Sequence, residues 1–208
     1  MKKTLIFLLL FSFLLLFFTS CSEQEVKKEE LFPIVEELVE ESKILNEIIF
    51  GEGIPTLASG ETVGYYRECN MLMLKEWGFE SAQDIRAAIR RIYSRSMSSF
   101  MEERAFASLT AGDAVSGARY YETLEGVLMA DGNADVFLTG DVVYDYSTLR
   151  IISQHRGIVS LKMEATVESA SGLTQVRTIE LEVERSGDEW KLNSPTYLVY
   201  DEYLDKID

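Results

Sequence analysis

The densest group of side chains able to do chemistry is Tyr144-Asp145-Tyr146, followed by Ser147-Thr148. On an extended strand successive side chains point to opposite faces, so both phenols share one face and the Asp145 carboxylate takes the other. If that face lines a cavity, Tyr144 and Tyr146 can grip a ligand by stacking and hydrogen bonding. On a half-exposed sheet the same pair is plain amphipathic covering. A second group is Arg86, Arg90, Arg91 and Arg95. These four could receive an anionic ligand or an acidic partner segment, or they pair with the chain's own 35 acidic residues. Tyr144, Tyr146, Arg86 and Arg90 are therefore the candidate ligand-binding residues. Tyr197, Tyr200 and Tyr203 add aromatic side chains of the kind that recognition surfaces favour.

Other reactive groups have blander readings. His155 is the one histidine and falls at a strand end beside Arg156-Gly157, which suits a solvent-facing side chain. Cys69, in the apolar run around Met71 to Leu74, reads as a buried small hydrophobe rather than a nucleophile. Glu36, Glu37, Glu40 and Glu41 read as a solvated helix face. No HExxH, Cys pair or DxDxDG loop is present, and Asp131-Gly132-Asn133-Ala134-Asp135 lacks a later bidentate Glu, so it reads as a turn. There is no GxSxG elbow, and the Gly-rich segment 51–64 lacks the Lys-Ser/Thr ending of a phosphate loop. No catalytic residue, metal ligand or cofactor is assigned.

The elements that must position these residues fall in two halves. Apolar residues Leu31, Ile34, Val35, Leu38, Leu45, Ile48 and Ile49 recur at helical spacing and predict a helix over 29–50, stopped by Gly51, Gly53 and Pro55. Residues 65–77 read as a helix or an extended segment, with helix favoured. Ser81 with Asp84 opens another through about 94, with Ile85, Ala88, Ile89 and Ile92 on its apolar line. A further helix is expected over 96–108, and 118–123 is ambiguous. From about residue 124 the period changes to two. Strands are expected at 124–130, 134–139, 141–146, 149–155, 158–168, 174–185 and 189–193, with turns at 169–172 and at Ser186-Gly187-Asp188. Helices first and an antiparallel meander second argue an α+β fold, with a helical part about 31–123 and a β-meander about 124–200. There is no internal repeat.

The N-terminus carries an address. Lys2 and Lys3 precede an apolar run from Leu5 to Phe18, about 14 residues, the length of a signal-peptide core and short for a membrane span. It ends in Phe18-Thr19-Ser20-Cys21. This resembles the lipobox of bacterial lipoproteins. Thr19, Ser20 and Cys21 match that pattern, and Phe18 replaces its usual aliphatic residue. The resemblance implies a signal peptide over 1–20, a diacylglyceryl thioether on Cys21, a tether over 21–30 and one extracytoplasmic domain over 31–208. Two acyl chains anchor durably.

Cleavage there leaves 188 residues and takes the net charge from −15 to −17. That balance argues against nucleic acid and against broad docking on anionic surfaces. With Cys21 lipidated, Cys69 has no intramolecular partner and the fold must stand on its core.

The last third carries a second resemblance. Two long alternating strands, a turn with Gly187, and Trp190-Lys191-Leu192 on a closing strand look like the end of an NTF2-like or cystatin-like domain. This implies a curved antiparallel sheet wrapped around helices, over about residues 81–200, with a cone-shaped cavity. The expected function is a non-catalytic ligand- or protein-binding module at the cell membrane, its specific form a regulator or inhibitor of a cell-wall enzyme. The alternatives are an NTF2-like small-molecule enzyme using Tyr144, Asp145, Tyr146 or His155, and a structural envelope component. The expected partners are the membrane, through Cys21, and an envelope protein or small ligand.

Overall fold

The structure is a computed structural model and describes residues 25–106, 118–136, 142–168 and 174–196. Cys21, the turn 169–172 and Tyr197, Tyr200 and Tyr203 lie outside the described residues. The fold is α+β: among the described residues, four helices and two open antiparallel sheets.

Helix α1, Lys28–Phe50, is the central element. Its apolar stripe buries Leu31, Val35, Leu38, Val39, Leu45, Ile48 and Ile49, while Glu36, Glu37 and Glu40 face solvent. The C-terminal end of α1 leaves carbonyls without helical partners. Two side chains from residues 119 and 120 collect them. The buried Arg119 guanidinium donates to Ile49 O (3.2 Å) and Gly51 O, and the Tyr120 hydroxyl donates to Ile48 O at 2.7 Å. Gly53 turns the chain away at a φ of 79°, and a Cβ there would meet the Arg119 guanidinium and the Tyr120 hydroxyl at 2.6 Å.

The segment 65–77 is not one helix. Thr62–Val63 (β1) and Tyr66–Glu68 (β2) form a hairpin, and a short helix α2, Met71–Glu76, follows. The reason is tertiary: β2 pairs with Leu128–Asp131 (β4), so its backbone groups are satisfied across the fold. Asn70 then starts α2 by accepting from Leu72 N at 3.1 Å. Helix α3, Ala82–Ile92, begins where expected, with Ser81 accepting from Asp84 N and Asp84 accepting from Glu80 N and from the Ser81 hydroxyl. Helix α4, Arg95–Ala105, is capped by Ser94. The ambiguous stretch 118–123 holds β3, Tyr120–Glu122, which pairs with β4. The first sheet therefore runs β1-β2-β4-β3, inside and just after the segment expected to be helical.

The second sheet is a meander of Val142–His155 (β5), Ile158–Glu168 (β6), Thr174–Ser186 (β7) and Glu189–Leu192 (β8). Two expected strands are one here. Between Asp145 and Arg150 the β5–β6 register shifts, a bulge rather than a chain break. Side chains fill it: Ser147 donates to Asp145 Oδ1, and Thr148 donates to Asp145 O at 2.7 Å while accepting from Glu164 N at 2.8 Å. Residues 134–136 are not strand, and 137–139 lie outside the described residues. Across β6 and β7, Val159, Leu161 and Met163 stand opposite Val183, Leu181 and Ile179, all buried against the helices. The other face carries charge, with Lys162 opposite Glu180. One core joins α1, α3, α4 and this sheet, and it also takes in Cys69, Tyr120, Leu128 and Ala130 from around the first sheet.

Candidate functional site

Tyr144 and Tyr146 do share one face of β5, and that face meets α1. Their ring centroids are 6.2 Å apart. The Tyr144 hydroxyl donates to the Thr196 carbonyl, and the Lys43 ammonium sits 5.1 Å from the centre of its ring. Tyr146 donates to Glu40 Oε1 at 2.7 Å, and Lys43 bonds both oxygens of the same carboxylate. Burial, then the nearby Tyr93, pushes the Tyr144 phenol well above its ordinary range. Burial, then the Glu40 carboxylate, does the same for Tyr146. Burial alone would raise Glu40. The hydrogen bonds from Lys43 and Tyr146 and the Lys43 charge outweigh it and hold the carboxyl below its usual range. Both phenols are therefore neutral donors already engaged, and Glu40 stays ionised. This arrangement fastens β5 to α1 and holds neither a free base nor a free nucleophile.

Beneath it lies a buried polar cluster that composition and periodicity do not reveal. Ser42 and Asn46 face inward from α1. Thr196 Oγ1 meets Ser42 Oγ at 2.6 Å and accepts from Asn46 Nδ2 at 2.8 Å. Tyr93 donates to Asn46 Oδ1 at 3.1 Å. Burial pushes the Tyr93 phenol up to about 12. Each polar atom has a partner, so the cluster pins the segment after β8 onto α1. The one sequence signal was the pair Ser42 and Asn46 on the apolar side of α1, spaced four apart.

The structure brings Arg86 and Arg90 together on one acid. Arg90 grips Glu102 with two parallel bonds of 2.6 and 2.8 Å, and Arg86 lies 3.6 Å from the same carboxylate with its guanidinium 4.0 Å from the Phe106 ring centre. Arg91 pairs with Glu41 at 2.6 Å. Arg95 instead lines an open cleft of about 480 Å³ with Arg90, Lys191, Glu102, Ser98 and Ser99, and among the described residues no carboxylate pairs with it. Lys191 donates to Arg90 O at 2.7 Å. Two sequence candidates, Arg86 and Arg90, are thus tied to Glu102, while Arg95, not among those candidates, faces the cleft.

Cys69 is fully buried, and burial pushes its thiol up to about 12, so it carries no thiolate chemistry at neutral pH. His155 is exposed at the end of β5, beside the two-residue turn Arg156-Gly157, both at positive φ. Asp131 accepts from Asn133 N in a tight turn, and among the described residues no cluster of three or more potential metal ligands occurs. No protein-family model matches the chain, and no curated protein matches it in sequence.

A last feature concerns the start of the described chain. The amide of Val26 donates to Gln154 Oε1 at 2.8 Å, and Gln154 Nε2 donates back to Val26 O at 3.0 Å. This reciprocal pair fastens the segment ahead of α1 to the far end of β5. A groove of about 320 Å³ opens beside it.

Proposed function

We propose that this protein is a bacterial lipoprotein, anchored through a lipid on Cys21, whose α+β domain is a non-catalytic binding module on the extracytoplasmic face of the cell membrane. The observation that carries the reading is the lipobox-like Thr19-Ser20-Cys21, with Cys21 five positions before Val26, whose backbone is bonded to Gln154 of β5. A tether that short makes sense for a domain held at a surface. Among the described residues no helix is long and apolar enough to cross a membrane; the attachment we propose is the lipid on Cys21.

The non-catalytic part of the reading rests on the engaged state of the chemically able groups. The inward sheet face is filled by Val159, Leu161, Met163, Ile179, Leu181 and Val183 against the helices. Tyr144, Tyr146 and Cys69 are committed to structure. The contact surface we favour for a ligand or envelope partner is the cleft where Arg95 stands beside the Glu102-bound Arg90 and beside Lys191, with Arg95 the group suited to take a carboxylate or phosphate.

Mass spectrometry of the N-terminal peptide from membranes tests the anchor. A diacylglyceryl adduct on Cys21 is expected, and an unmodified cysteine or an intact Met1–Ser20 leader removes the reading. Envelope extracts passed over the protein and over Arg95→Glu test the contact surface. A specific partner is expected to bind the parent and not the variant; equal capture moves the contact away from the cleft.

A further inference from the structure

We infer that the end of the second sheet beside Val26, formed by the β5–β6 turn and the facing parts of β7 and β8, rests on the lipid headgroups and orients the domain. The inference builds on the Cys21 anchor.

Reach sets the geometry. From Cys21 to Val26 there are five residue steps, which span at most about 18 Å when fully extended. Val26 has no freedom to extend that reach, because its N–H and C=O are both bonded to the Gln154 amide on β5. A lipid on Cys21 therefore draws down one particular end of the molecule, the end where Gln154 sits two residues before the Arg156-Gly157 turn.

The chemistry of that end suits the membrane interface. The groove beside Val26 is lined by Ile158 and the half-buried Trp190 as apolar walls, and by Arg156 and Arg185 as cations. Tryptophan settles at the headgroup level because its ring is apolar and its N–H needs a polar partner. Arginine stems cover apolar surface while their heads meet phosphate. Glu25 is the one carboxylate among the lining residues, and Asp188 stands 4.0 Å from Arg185, fully exposed, where water and salt weaken the pairing. The contact is local: Glu184, Asp188 and Glu189 stand at the same sheet end, so the Arg156 and Arg185 heads beside Trp190, rather than the net charge of that end, are what meets the phosphates. A single interfacial contact adds a second, weak signal to the lipid, fixing orientation rather than supplying attachment.

The chain has two tryptophans, Trp77 and Trp190, which makes the test direct. Trp77 closes α2 and does not line the groove. The acylated protein is placed in vesicles of phosphatidylglycerol and phosphatidylcholine with brominated acyl chains, as Trp77→Phe and separately as Trp190→Phe. Emission from Trp190 is expected to fall by about half or more, that from Trp77 to change little. The double variant Arg156→Glu/Arg185→Glu is expected to abolish the Trp190 quenching while leaving acylation intact. Equal quenching of both tryptophans, or none at Trp190 on protein with a lipid on Cys21, overturns the orientation and spares the anchor. If Cys21 proves unacylated in cells, the anchoring reading falls. The docking claim is then decided on residues 21–208, which contain the whole described core, coupled through Cys21 to a maleimide lipid. Cys69 is fully buried and will not compete for the coupling. Hydrogen exchange on unsubstituted protein needs no variant: amides around 154–158 should slow on vesicles relative to detergent, and unchanged exchange there also overturns the proposal.

Discussion

Both sheets are four-stranded and antiparallel, yet they are held by different things. The meander β5–β8 has three strands of 14, 11 and 13 residues, and its inner face is part of the main core under α1. The sheet β1–β4 has strands of two to four residues; Tyr120, Leu128 and Ala130 join the main core from it, and Tyr66, Tyr121 and Met129 form a small separate cluster with Val127 against it. Long strands bury enough apolar surface to be stable through packing. The short ones each bury less and are in addition stitched to the end of α1 by Arg119 and Tyr120. Strand count therefore says little about a sheet's stability; the area each strand buries decides it.

Cavity-forming substitutions should expose this contrast most strongly. Leu161→Ala, in the centre of β6 and fully buried, is expected to lower the unfolding free energy by about 3–4 kcal/mol. Met129→Ala, fully buried in the small cluster, should cost about 2 kcal/mol, because only Tyr66, Tyr121 and Val127 pack around it there and a small cluster can close over the gap. Urea denaturation measures both, and equal losses would erase the distinction.

Alkaline pH should act next. Burial pushes Tyr93, Tyr120 and Cys69 each up to about 12, from ordinary values of 10.0, 10.0 and 9.0. Their folded-state pKa values lie above the unfolded ones. The stabilisation is therefore whole below the unfolded values and is lost as pH climbs through about 12. Each group that has begun to ionise in the unfolded chain adds about 1.4 kcal/mol of loss per pH unit in that window. Denaturation curves from pH 8 to 11.5 on the parent and on Tyr93→Phe should show a shallower decline in the variant.

Replacing the stitch should be milder and more local. Arg119→Met leaves the Ile49 and Gly51 carbonyls without their donor and is expected to cost about 2 kcal/mol. Hydrogen exchange should then speed up in β1–β4 and little in β5–β8; uniform acceleration would mean the two sheets open as one unit. The smallest effect should come from Arg90→Ala. Its pair with Glu102 is exposed on the arginine side, so the loss of stability should be the least of these variants and shrink further at high salt.

The legible parts of the fold share a property: their signals are local. The period-two runs of β6 and β7 fall where expected, with buried and charged faces assigned correctly, because register in a one-sided sheet is written in the alternation itself. The Ser81–Asp84 start of α3 was readable for the same reason. Tyr66–Glu68 was not, since its partner β4 lies some 60 residues away and no short-range pattern announces it. The bulge in β5 read as a break because Ser147 and Thr148 look like turn residues, and only the contact with Glu164 shows that they continue the strand.

At the candidate site the same division holds. The shared face of Tyr144 and Tyr146 followed from strand geometry. Their engagement by Glu40 and Thr196 depended on which helix covers that face. The arginines were visible as a group, but Arg86 and Arg90 converge on Glu102, and the residue left facing a cleft is Arg95.

The α+β class, the charge, the Ser81 start of α3 and the alternation of β6 and β7 are set by the sequence alone, because each depends on neighbours along the chain. The division into two sheets, the pinning of Thr196 by Ser42 and Asn46 and the binding of Val26 by Gln154 are decided only in the tertiary structure. Those follow from side chains far apart in sequence meeting in a dry interior or at a sheet end, where an unpaired polar group is too costly to leave.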